Sequence, residues 1–220
     1  MLKVPCAILT KTDRSEAVGK GEETREKILM RAARLFNEKG FYGVSLTDLM
    51  KATGLKKGGL YNHFESKEKL ALEAFDYAIG LYRKRYEEAL AGKSHAADRL
   101  LAIVDVMRRN VSDPPVSGGC VLMNTAIESD DAFPALRERA RKAMDSWRSL
   151  VRRTIDAGIQ AHEIRPGVDP EQTATLLIGC LEGGVMLSKL YRDPVHVLRA
   201  ADHISRYIIE NIQVREAAAL

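Results

Sequence analysis

The sequence is poor in the features that would mark a secreted, metal-binding or membrane-spanning protein. It has three cysteines, Cys6, Cys120 and Cys180, an odd number at wide spacings. That pattern is neither a disulfide framework nor a zinc motif, and it fits a reducing compartment. No apolar run approaches the length a bilayer demands, and the mildly apolar start from Val4 to Leu9 has neither a long apolar stretch nor a cleavage-site pattern. The expectation is a cytoplasmic protein with no membrane partner. His196 and His203 stand seven apart, and no i,i+4 pair or CxxC supports a metal or other cofactor. No nucleophile–base pair can be assembled from spacing, which counts against an enzyme. Strand patterns and internal repeats are missing too.

What the chain does have is helical periodicity, with 45% apolar residues to build a core over 220 residues. Residues 1–22 mix Lys, Asp, Ser and Gly without period and read as a mobile arm. From Glu23, the stripe Ile28, Ala32, Leu35 and Phe36 marks a helix stopped at Gly40. Ser45 with Asp48 resembles a capping box that opens a short helix, and Thr53-Gly54-Leu55 makes a tight turn. A second short helix spans about 56–63, and Ser66 caps a long one with Leu72, Phe75, Ile79, Tyr82 and Tyr86 facing inward. Further helices follow, one of them opened by Pro134 in its first turn and carrying Leu136, Ala140, Met144, Trp147, Val151 and Ile155 on one face. The fold class is all-α, divided into a head over 23–70 and a second domain over 71–220.

Charge is placed unevenly. The net charge is +4, with ten Lys/Arg against six Asp/Glu over 23–70 and twenty against twenty-one over 71–220. A basic excess in one short segment suits a polyanionic partner. The same segment holds two short helices joined by a three-residue turn, in which Gly54 can supply positive φ; this is helix-turn-helix geometry. Leu46, Leu49, Leu55, Leu60 and Phe64 are spaced to share a small core with Phe36. Lys56, Lys57, Tyr61, Asn62 and His63 are left outside it, and such side chains suit phosphates and base edges.

The run LFNEKGFYGVSLTDL followed by LYNHFESKEKL, within Thr24 to Leu70, resembles the DNA-binding domain of the tetracycline-repressor (TetR) family. By position, the resemblance implies that Thr47, Tyr61, His63 and Lys67 position phosphates, and that Lys56, Lys57 and Gly58 begin the recognition helix at the groove. Gly58 and Gly59 depart from a good helix, each costing roughly 1 kcal/mol against Ala. Beyond residue 70 the likeness is one of helix order, and it implies a homodimer on a palindromic operator, released by a small apolar effector. It also places Met107, Cys120, Met123, Asn124, Ile127, Trp147, Val151 and Ile155 around an effector cavity, where Met and Trp make adaptable walls. Cys120 reads either as a thiol acidified by a helix start or as a small buried hydrophobe. Glu128 and Glu182 lie at the edges of apolar runs; a buried acid there could select a cationic effector, but each is expected to pair with a nearby Arg or to face solvent. Gly179, Gly183, Leu187, Ile204 and Ile208 lie on stripes of the last two helices that read as a dimer seam. The competing readings are a helical carrier or an enzyme, either with a non-functional DNA-binding head.

Overall fold

The computed structural model describes residues 11–129 and 132–214. Helix α1 runs Lys11–Lys39, so the arm expected over 1–22 is already helical from residue 11; residues 1–10 lie outside the described residues. Apolar period reports a buried face rather than helicity. A Lys-, Glu-, Ala- and Arg-containing segment can extend a helix already nucleated by packed turns further on. The chain then forms α2 (Leu46–Thr53), α3 (Lys57–Tyr61), α4 (Lys67–Leu90), α5 (Ala96–Arg109) and α6 (Val121–Ser129). After these come α7 (Pro134–Gln160), α8 (Pro170–Tyr191), α9 (Val195–Tyr207) and a π-helical turn over Ile208–Ile212. Among the described residues the one β feature is an isolated bridge between Ile164 and Gln213.

Local chemistry sets these boundaries. At α2 the Ser45 hydroxyl accepts from the Asp48 amide at 3.1 Å, and the Asp48 carboxylate accepts from the Ser45 amide at 2.9 Å. Each bond satisfies a donor that the helix start leaves free. Gly54 ends α2 at φ 73°, where a side chain would be strained, and its amide donates to the Met50 carbonyl. The Arg31 guanidinium donates to the carbonyls of Ala52 and Thr53, placing a cation at the negative end of the same helix. Pro170 opens α8 behind Asp169, whose carboxylate accepts from the amides of Glu171 and Gln172.

Two apolar cores result. The first joins Ile28 and Ala32 of α1, Leu49, Leu60 and Phe64 of the helix-turn-helix, and Ala74, Phe75 and Ala78 of α4. It also takes in Val121 and Leu122 of α6 and Leu136 and Ala140 of α7, so it reaches well past residue 70. The second core packs Leu100, Ile103 and Val104 against Val151, Ile155, Leu177 and Leu181. It is closed by Ala201, Ile204, Ile208 and Ile212.

Two expectations change here. Ile204 and Ile208 belong to the second core and are closed off from any partner. Moreover α8 is, by length and composition, apolar enough to cross a bilayer. Its apolar residues serve two faces. One packs on α7 and α9, where a Cβ at Gly184 would come within 2.9 Å of Val197 and Ala200. The other, with Leu176, Met186 and Leu190, points outward.

Candidate DNA interface and ligand cavity

The helix-turn-helix presents one polar surface. Thr47 of α2 is exposed, as are Lys56, Lys57, Gly58, Tyr61 and Asn62 on and beside α3, while His63 is half-buried. Helix α3 is shorter than expected, five residues from Lys57 to Tyr61, with Lys56 as its extended N-cap. The Lys57 ammonium lies 5.9 Å from the centre of the Tyr61 ring, so cation and phenol share one patch. Lys67 behaves differently from the phosphate role expected of it. Its ammonium donates to the Phe41 carbonyl at 2.6 Å and lies 4.3 Å from the centre of the Phe41 ring. The side chain thereby clamps the loop between α1 and α2 rather than facing outward.

A cavity of about 1080 Å³ opens between α4, the end of α5, the loop before α6, α7 and α8. Of the expected lining, Met107, Cys120 and Trp147 border it. The other five residues lie elsewhere. Val151 and Ile155, one and two turns past Trp147, are sealed in the second core. Ile127 is 67% exposed on the outer face of α6. Met123 lies beyond the part of α6 that reaches the cavity. Asn124 is engaged in hydrogen bonds to Asn37 and Gly118. Of α6 only Val121 and Leu122, next to Cys120, border the cavity.

Tyr82 and Tyr86 of α4 border the cavity without having been expected there, and Glu182 of α8, noted above at the edge of an apolar run, borders it too. Tyr86 and Trp147 form a tilted ring pair with centroids 6.2 Å apart. Burial pushes both tyrosine hydroxyls above their ordinary range. Cys120 sits at the start of α6, where its sulfur accepts from the Met123 amide at 3.4 Å. Burial, and then the adjacent Glu182 carboxyl, nonetheless push the thiol well above its usual value. The acidified thiol offered as one reading is therefore not formed, because desolvation outweighs the helix start.

Cavity and head are physically joined. Residues Ser117 to Cys120 line the cavity, and the Asn37 amide of α1 donates to the Ser117 and Gly119 carbonyls at 2.8 and 3.0 Å. The Asn124 amide returns to the Asn37 side-chain oxygen at 2.8 Å. At the other end of α6, the Glu128 carboxylate accepts from the amides of Phe41 and Tyr42 at 2.9 and 3.1 Å. Gly40, at φ 77°, allows this approach, since a Cβ there would run into that carboxylate. Glu128 is thus paired, though with backbone of the α1–α2 loop rather than with an arginine.

A helix-turn-helix whose supporting helix is bonded to the wall of a large cavity defines a DNA-binding regulator with a ligand-binding helical domain. Residues 28–74 match the model of bacterial regulatory proteins of the tetR family, and residues 96–204 match the tetracyclin repressor-like C-terminal domain. A TetR transcriptional regulator from Chloroflexus aurantiacus is 46% identical with a TM-score of 0.86, over 90% of this chain and 100% of that one. A TetR-family regulator from Cytophaga hutchinsonii is 34% identical with a TM-score of 0.81, over 90% and 98%. The transcriptional repressor NemR of Escherichia coli is 25% identical over 84% of this chain and 94% of its own length. The chain belongs to the TetR family of transcriptional regulators.

Proposed function

We propose that the protein is a ligand-responsive repressor which binds a palindromic operator as a homodimer and is released from it by a small molecule. The observation that carries this reading is the double role of the segment from Ser117 to Cys120, which forms cavity wall on one side and holds Asn37 of α1 on the other. A guest that moves this segment must either move α1 or break its hydrogen bonds, so ligand and DNA bias the same element. Thr47, Lys56, Lys57, Gly58, Tyr61, Asn62 and His63 form the DNA surface.

The dimer is assigned to the outward face of α8, where Leu176, Gly179, Gly183, Leu187 and Leu190 recur at spacings of three and four. Beyond the surrounding backbone of α8 itself, neither Gly179 nor Gly183 has an atom of the described residues within 4 Å of where a Cβ would stand, which leaves room for a second helix to approach. Selection of bound sequences from random DNA, followed by titration of the winner, tests the reading. A two-fold symmetric sequence whose affinity falls with salt supports it. Binding that is equal for all sequences would overturn it.

A further inference from the structure

Among the described residues, the cavity wall holds a buried acid, Glu182, with no donor beside it except a thiol. Glu182 is 8% exposed, lines the cavity, and neither carboxylate oxygen has a hydrogen-bond partner. The Cys120 thiol lies beside it, but a thiol is a weak donor. Its titratable neighbours Cys120, Tyr82 and Tyr86 are all neutral near pH 7 and none supplies a positive charge. The Trp147 indole N–H, on the same cavity, is likewise buried without a partner.

We propose that the cavity takes an amphiphilic organic cation, whose ammonium sits against Glu182 and whose apolar body lies along Tyr86 and Trp147. An unpaired carboxylate is costly to hold out of water, and a cationic guest removes that cost where a neutral one does not. Aromatic faces attract the same charge through their quadrupoles. A cavity of about 1080 Å³ accommodates a drug-sized molecule. Cations do border the cavity, namely Arg83, Arg108, Arg109, Arg153, Lys189 and Arg192. All but Arg108 are exposed, and Arg108 is paired with Asp202 and Asp105. None is bonded to Glu182. An anionic guest could find partners among these groups but would meet an uncompensated carboxyl on α8.

The inference rests on reading the cavity as the effector site, but not on what binding does to DNA. Trp147 is the chain's single tryptophan, so its fluorescence reports occupancy directly. The probes are 4-phenylbutyltrimethylammonium, the uncharged isostere with carbon in place of nitrogen, and 4-phenylbutanesulfonate. Titrated without DNA at pH 7.5, the ammonium should bind at least about thirtyfold more tightly than its isostere. In Glu182→Gln that ratio should fall toward one, while Glu182→Asp, which keeps the charge, should retain a preference. Equal binding of ammonium and isostere, tighter binding of the sulfonate, no binding of any probe, or a preference that survives Glu182→Gln would each overturn the proposal. Should the ammonium bind as expected while the DNA complex ignores it, the release reading fails and the cation site stands.

Discussion

At Glu182, the residue proposed to choose the ligand also bears on stability. Burial raises its carboxyl above the ordinary range, so the folded protein keeps this proton at a pH where the unfolded chain has released it. Between those two values the unfolded state binds fewer protons, and stability falls as pH rises through the window. Replacing the acid by an amide should remove that loss. Glu182→Gln is expected to melt above wild type at pH 8 and to converge with it near pH 4. Identical melting curves at both pH values would mean that the carboxyl is solvated in solution. The proposed DNA surface divides in the same residue-by-residue way. Lys57→Ala should cost about 1–3 kcal/mol on the operator and relax preference at one position per half-site if the ammonium meets a guanine edge. Lys67 is held on the Phe41 carbonyl, so Lys67→Ala should lower the melting temperature and leave the salt dependence of DNA affinity unchanged. A drop of about one unit in the log–log salt slope would instead return Lys67 to a phosphate.

At the level of elements, α6 is the piece that connects the two halves. Its first turn borders the cavity, its Asn124 is bonded to α1, and its Glu128 holds the loop that leads into the helix-turn-helix. Glu128→Ala removes two charge-assisted bonds to backbone amides and should destabilise the protein by about 1.5–3 kcal/mol. Cavity binding, read from Trp147, should be kept, while the effect of ligand on DNA affinity should shrink several-fold. A mutant whose ligand response matches wild type would take Glu128 out of the route. The helix-turn-helix was readable from the sequence because its signals are local: a capping box, a turn glycine and apolar spacing all fall within about twenty residues. The cavity was not, because its lining depends on how far each helix has rotated when it reaches the space. Trp147 faces the cavity while Val151, one turn on, is sealed in the core, and spacing alone treats the two alike. Asn37 on α1 and Tyr82 and Tyr86 on α4 acquire their roles from segments dozens of residues away.

For the whole molecule, the interface proposed above is the outward face of α8. The sequence pattern joins α8 to Ile204 and Ile208, but the protomer's own core uses both isoleucines, so the proposed seam rests on α8. Leu190 is 70% exposed, so Leu190→Glu should change protomer stability by less than about 0.5 kcal/mol. Combined with Met186→Glu it should yield monomers in sedimentation and a large loss of operator affinity. A double mutant that remains dimeric would move the interface elsewhere. A helix that is apolar on both sides also has a consequence for abundance. If the second side is covered by another copy, folding and pairing are linked by mass action, and the melting temperature must rise with protein concentration. At low copy number the protomers would separate, leave Leu176, Met186 and Leu190 in water, and become the preferred targets of proteolysis or aggregation. The regulator's lifetime would then depend on its own dosage, with scarce molecules cleared fastest.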